Sequence, residues 1–388
     1  MHTLKGITLA ALAGILIGGC SLKDAETARA ELVAETVEQT ADTPPAAVIF
    51  TPGKTNDFEF ESNGLTLSGI IDVPRVEIKG MIIIVHSYGE TNVREWYSHR
   101  DIRKQFLDMG IATVQWDKPG LGRSEGTFDI NQSVYESGQE VVDAAAYLRQ
   151  VGAPGADKIG LWGGSRAGWI APIALSKDKD LEFWISISGT TQEDNFTYLL
   201  LSNLPYEGAT QEQVAVYEQE WRAGCNIFRN GGSFDDYQQA TEVLRANEYI
   251  LSMRGPWPTR AQYEENQKQC QDSNCQRTHE DTCDYIWILD FDEMLSSLDV
   301  DVLALFGEKD LSINWRKVRT LYEETIGQNS NATLRIKAFA DADHSLNKTE
   351  TGSMREMRKN WELIEQPRIE GYYDVQTEWL QEFVLDEK

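Results

Sequence analysis

The 388-residue sequence predicts an α/β fold: a mostly parallel central sheet with helices on both faces and an inserted helical lid after the sixth strand. Three observations predict it. Strand-like apolar runs alternate with helix-spaced segments over residues 81–187, the order expected of a parallel sheet. One run, Met81-Ile82-Ile83-Ile84-Val85, is apolar throughout, as strands buried on both faces are. The alternation then stops near Gly189, gives way to a polar stretch over 191–297, and resumes at Val302.

The elements follow in order. Phe58-Glu59-Phe60-Glu61 alternates, Asn63-Gly64 makes a turn, and Leu65–Ile71 returns, which is a hairpin signal. After the run at 81–85 come a helix around 98–109 and a strand at Ile111–Trp116. Val134, Val141, Val142, Ala145 and Leu148 have helical spacing and predict a helix over 133–151. A strand at Ile159–Trp162, a helix at 166–176 and a strand at Phe183–Ile187 complete the first half. The second half has strands at Val302–Phe306 and Thr333–Lys337 and helices at 315–327 and 373–385. The middle therefore reads as an insertion in one α/β domain. The expected organisation is a core over 55–190 and 298–388 with the insertion at 191–297.

Composition narrows the function. With 41% hydrophobic residues the chain can build a sizeable core. Its net charge of −26 argues against nucleic acid and against anionic lipid surfaces, both of which call for basic patches. The acidic balance serves solubility. No dinucleotide fingerprint or credible metal cluster is present, so no cofactor and no metal are expected.

The N-terminus bears on the compartment. Lys5 precedes an apolar stretch, Ile7–Ile17, shorter than the ~20 residues a spanning helix needs, and so reads as a signal peptide. Ile17-Gly18-Gly19-Cys20 then resembles the lipobox of bacterial lipoproteins. That resemblance implies a signal peptide over 1–19, lipidation of Cys20, and membrane attachment only through the lipid. Ser21 where an Asp would favour retention implies the outer membrane. Residues 20–54, rich in Ala, Glu and Thr with Pro44-Pro45, read as a flexible tether. Cys225, Cys270, Cys275 and Cys283 remain, an even number suited to two disulfides in an oxidising compartment, with three pairings open. Their spacing lacks the C-x-x-C pairs that zinc favours.

The chemistry centres on Gly163-Gly164-Ser165-Arg166-Ala167-Gly168, where a strand runs into a helix through a Gly-rich turn with Ser at its tip. A turn this sharp strains the backbone of its central residue and leaves no room for large neighbours. The following helix aims its N-terminus at the Ser, favouring developing negative charge, and the Arg166 N–H is placed to donate to an oxyanion. The segment resembles the nucleophile elbow G-x-S-x-G of the α/β-hydrolase superfamily, especially bacterial esterase-like members reading G-x-S-x-G-G-x-I-A-P. Ala167 stands where the last Gly of the pentapeptide is usual. Val85-His86-Ser87-Tyr88-Gly89 resembles that family's H-G-x-G loop, with Ser87 in place of a Gly, and implies the Tyr88 N–H as the second oxyanion donor. His86 is expected to be structural. Asp117-Lys-Pro-Gly-Leu-Gly-Arg-Ser124 resembles the family's D-x-P-G-x-G-x-S turn, with Asp117 pinning a loop.

In this superfamily acid and base follow the nucleophile in the order Ser, acid, His. Of His2, His86, His99, His279 and His344, only His344 follows the predicted last strand. For the acid, Leu305-Phe-Gly-Glu-Lys-Asp310 resembles the G-x-x-D turn and implies Asp310, with Glu308, Asp341 and Asp343 as alternatives. The resemblance thus implies a serine hydrolase in which Ser165 attacks, His344 moves the proton and Asp310 orients it. The leading substrate is a small-molecule carboxylic ester. A peptidase of prolyl-oligopeptidase-like type and a non-catalytic binding protein on the same fold are the alternatives. Family precedent also implies a lid role for 191–297. There Trp221, Tyr249, Trp257, Tyr263 and Trp287 either line an acyl pocket or form the insertion's own core.

Overall fold

Asn63 and Gly64 both take positive φ, 51° and 75°, the pairing that lets a two-residue turn match strand twist. Around this turn β1 (Thr55–Ser62) and β2 (Leu65–Asp72) pair antiparallel. The hairpin opens the fold in a computed structural model that describes residues 49–94, 99–191, 195–272, 286, 288, 290–361 and 368–385.

The next elements alternate. They are β3 (Gly80–Ile84), α1 (Arg100–Asp108), β4 (Ile111–Trp116), α2 (Val134–Gln150), β5 (Ile159–Gly164), α3 (Ala167–Lys177) and β6 (Leu181–Ile187). Helix α4 (Asn195–Asn203) follows. After an insertion come β7 (Asp301–Gly307) and β8 (Thr333–Phe339). The eight strands lie in the order β1-β2-β4-β3-β5-β6-β7-β8. β2 meets β4 antiparallel, and every pairing from β4 through β8 is parallel.

Period-two geometry explains the uniform apolar run of β3. Met81, Ile83 and Val85 join one core with Val141, Ala145 and Leu148 of α2 and Ile170 of α3. Ile82 and Ile84 face the other way, into a second core with Ile102 and Phe106 of α1 and with Trp379 and Leu380 of a C-terminal helix, Tyr372–Leu380. Strands covered on both faces need apolar side chains at every position. The mostly parallel sheet with helices on both faces expected from the sequence is observed. One helix, Met354–Trp361, carries no clear sequence signal. Arg355, Glu356, Arg358 and Lys359 outnumber its apolar residues, and Glu356 folds back to accept the Glu350 and Thr351 N–H groups.

The chain divides into two units: Ile49–Ala209 with Ile286–Lys388, which carries the sheet, and a unit that includes Thr210–Tyr285. Helix α4 belongs with the sheet. Its Tyr198 hydroxyl donates to the Asp310 carbonyl, and Asn203 donates to the Leu311 carbonyl. In the inserted unit α5 (Gln211–Arg229) opens on a capping box of Thr210 and Gln213. Phe234, Tyr237 and Tyr263 form its aromatic core, with centroids 5.0 to 6.4 Å apart. Trp257 packs on that core and carries the Arg254 guanidinium 4.0 Å above its ring. Trp221 and Tyr249 are buried. Trp287 lies outside the described residues.

Candidate active site

Ser165 sits one residue beyond β5 with φ of +54°, a left-handed conformation that a residue bearing a Cβ adopts only where its surroundings force it. Here they do. The Ser165 N–H continues the ladder to the Ile187 carbonyl at 3.0 Å. The Ser165 carbonyl accepts from the Gly168 N–H at 2.8 Å, the Thr190 N–H at 3.0 Å and the Thr190 hydroxyl at 2.9 Å. Two glycines make the bend possible. A Cβ on Gly168 would meet Thr190 backbone at 2.4 Å, and one on Gly163 would meet the Ala167 methyl at 2.5 Å. The Ala167 methyl fits because Gly163 carries no Cβ.

The parallel register aligns Gly164, Ile187, Leu305 and Lys337 in one row. Segments leaving β5, β7 and β8 therefore emerge at the same edge of the sheet. β5 and β7 are two strand spacings apart, roughly 10 Å. The His344 loop folds back onto the end of β7. The Lys309 N–H donates to the Ala342 carbonyl at 3.0 Å and the Glu308 N–H to the Phe339 carbonyl at 2.9 Å. Gly307 admits the crossing, because a Cβ there would lie 2.3 Å from the Asp343 carbonyl and 2.4 Å from that of Ala342.

Asp310 and His344 meet. Asp310 is 1% exposed. One carboxylate oxygen accepts from the Ser312 and Ile313 N–H groups at 2.7 and 3.0 Å, and the other pairs with His344 Nδ1 at 2.7 Å. Nδ1–H donating to a carboxylate leaves Nε2 as the basic nitrogen. Burial alone would favour the neutral ring. The charge and hydrogen bond of Asp310, helped by the charge of Asp343, outweigh it and raise the His344 pKa above 6.5. The other carboxylates are engaged elsewhere. Asp341 pairs with Lys309 at 2.9 Å, and Asp343 accepts from the Ser345 and Asn347 N–H groups. Glu308 forms no hydrogen bond to His344. Nor does a hydrogen bond join Ser165 Oγ to His344 among the described residues. In serine hydrolases this contact is often loose without substrate.

The two oxyanion candidates lie on the segments that follow β5 and β3. The Arg166 N–H stands at the start of α3, and among the described residues nothing accepts from it. Tyr88 lies in the loop after β3, beneath which is a buried polar cluster that pattern reading did not single out. Lys118 Nζ donates to the Ser87 and Gly89 carbonyls, each at 2.6 Å. Glu140, 1% exposed, accepts from the Trp116 indole at 3.0 Å and from Gln132. The Arg166 guanidinium bonds Ser137 and the Gln132 carbonyl and lies 5.6 Å from the Tyr88 ring centroid. The signal available for Lys118 was its place beside Asp117 in the resembled turn, and for Glu140 a charge at a helix position that should face inward.

His86 donates Nε2–H to the Trp116 carbonyl at 2.8 Å. Burial, then the charge of Lys118, push its pKa down to about 3, so it stays neutral. Asp117 accepts from the Val93 N–H at 2.6 Å, Arg94 at 2.7 Å and the Arg123 N–H at 2.9 Å, which pins the loops at 91–94 and 118–124. Cys225 lies on α5. Cys20, Cys275 and Cys283 lie outside the described residues, as does the side chain of Cys270.

The model of the X-Pro dipeptidyl-peptidase (S15) family matches residues 77–336. That stretch includes Ser165 and Asp310 and ends before His344. Among solved structures, an esterase of Pyrococcus furiosus is 13% identical, with 85% of this chain and 92% of that chain covered and a TM-score of 0.48. Est1E of Butyrivibrio proteoclasticus, solved with ferulic acid, is 14% identical, covering 85% and 100%, with a TM-score of 0.46. The acylaminoacyl peptidase of Pyrococcus horikoshii is 13% identical, covering 86% and 42%, with a TM-score of 0.47. Likenesses at this level say nothing of substrate. No curated protein matches the chain in sequence.

Proposed function

We propose that this hydrolase, whose chain belongs to the X-Pro dipeptidyl-peptidase (S15) family, cleaves carboxylic esters through an acyl-enzyme on Ser165. The observation that carries the reading is the 2.7 Å bond between Asp310 and His344 Nδ1, at the sheet edge from which the strained Ser165 also emerges. His344 Nε2 takes the Ser165 proton as Oγ bonds to the substrate carbonyl carbon. The oxyanion is held by the Arg166 and Tyr88 N–H groups. Collapse breaks the bond to the alcohol, which leaves with the proton from His344. Water, deprotonated by His344, then releases the acid and frees Ser165.

Family membership favours a second reading, cleavage after an X-Pro dipeptide by the same acyl-enzyme steps. One panel separates the two: p-nitrophenyl esters of graded acyl length beside Ala-Pro-p-nitroanilide, on wild type and Ser165→Ala. The ester reading predicts ester turnover that falls by at least about 10³-fold in S165A. Turnover persisting in S165A sinks both readings, and turnover of the anilide alone replaces the ester with the peptide.

We further infer export and lipid anchoring through Cys20, with the outer membrane as destination and membrane contact limited to that anchor. Metabolic labelling with a radioactive fatty acid tests this. Label should enter the wild type and be lost from Cys20→Ser, and equal labelling of both overturns it.

A further inference from the structure

We propose that Lys118 is a positioning residue for the oxyanion hole, its buried ammonium clamping the carbonyls of Ser87 and Gly89 so that the Tyr88 N–H is held turned outward. The inference rests on the reading of Ser165 as nucleophile and Tyr88 as donor. Lys118 is 5% exposed, and its Nζ lies 2.6 Å from each carbonyl. The Ser87 carbonyl and the Tyr88 N–H belong to one peptide unit. In a trans peptide the two point in opposite directions, and the described chain has no cis bond. Fixing the carbonyl on Lys118 therefore fixes the N–H on the side away from it. The Gly89 carbonyl secures the far end of the same short loop.

The clamp is itself anchored. The Lys118 N–H donates to the Thr91 carbonyl at 3.0 Å, and neighbouring Asp117 holds the Val93 N–H. Gly89, at φ of +89°, lets the loop double back far enough to present two carbonyls to one ammonium. A charged donor makes stronger hydrogen bonds than a neutral one. The charged groups facing Lys118 are Arg166 at the elbow and Glu140 on α2, and His86 beside it stays neutral. Burial, then repulsion from Arg166, bring the Lys118 pKa down to about 7, with Glu140 opposing. Losing the proton leaves an amine that still carries two N–H groups, so the clamp weakens rather than opens.

The test is kcat and KM for p-nitrophenyl butyrate across about pH 6 to 9, with thermal melting, on wild type, Lys118→Met and Lys118→Arg. K118M keeps most of the side chain's length and removes its donors. Its kcat should fall about 100-fold with KM within a few-fold, the cost of disordering one oxyanion donor. K118R restores charge and donors and should recover at least a tenfold part of that loss. The wild type should lose kcat several-fold as pH rises through about 7, and K118M should lack that step. A folded K118M with wild-type kcat overturns the proposal. Should K118M not fold, a folded K118R whose kcat lies about 100-fold below wild type overturns it. S165A keeps the two ideas apart. If it retains activity, the nucleophile reading fails whatever Lys118 does.

Discussion

At the scale of single residues, the Asp310–His344 pair sets a pH dependence whose sign can be worked out. In the proposed mechanism only a neutral imidazole can accept the Ser165 proton. The pKa of His344 is raised above 6.5 despite burial, because the Asp310 charge and hydrogen bond favour the imidazolium. Activity should therefore fall on the acid side at a pH above 6.5. Stability runs the other way. A folded-state pKa raised above the unfolded value contributes stability that is fully present below the unfolded pKa. That contribution is lost as pH rises through the folded pKa. In Asp310→Asn the acid limb should move to lower pH while kcat drops roughly 10⁴-fold, the cost of losing imidazole tautomer and orientation. A pH–rate profile of the variant checks both, and an unmoved limb with kcat intact removes Asp310 from the mechanism.

At the scale of elements, positions without side chains decide how closely segments approach. Gly163 and Ala167 share one space at the elbow, where a Cβ on Gly163 would lie 2.5 Å from the Ala167 methyl. Gly307 serves the opposite end of the site. Its missing Cβ lets the His344 loop cross the end of β7 at backbone contact distance. Gly307→Ala should push that loop outward and cost about 100-fold in kcat, since misplacing a catalytic group by about 1 Å is enough. Steady-state kinetics beside a melting curve would separate this from unfolding. A variant that melts early yet turns over normally while folded would refute it.

At the scale of the whole molecule, two units differ in what stabilises them. The sheet unit has a double-sided core of Trp, Phe and branched aliphatics. The inserted unit buries an aromatic group around Tyr263 together with Trp221, Leu244, Tyr249, Ile250 and Met253. A unit this small gains most from covalent staples, and all four cysteines that follow Cys20 lie within its stretch of sequence. Reduction should therefore expose this unit to limited proteolysis before the sheet unit. Cleavage patterns identical with and without reductant would show that its cysteines contribute nothing.

Local pattern by itself determined the α/β class, the order of strands, the break between β6 and β7 and the elbow at Ser165. Each rests on contiguous residues whose periodicity or turn chemistry is visible along the chain. His344 was legible from chain order, because no other histidine follows the last strand. Only the tertiary structure decided which of four carboxylates meets His344. The resemblance to a G-x-x-D turn pointed to Asp310 but left Glu308, Asp341 and Asp343 open, and the choice depends on how two loops meet above Gly307. Only it revealed Lys118 under the Tyr88 loop and Glu140 behind it, since a buried charge is held by partners distant in the chain. Local pattern records which way a segment is built, and the environment of a charge is made by segments that meet only on folding.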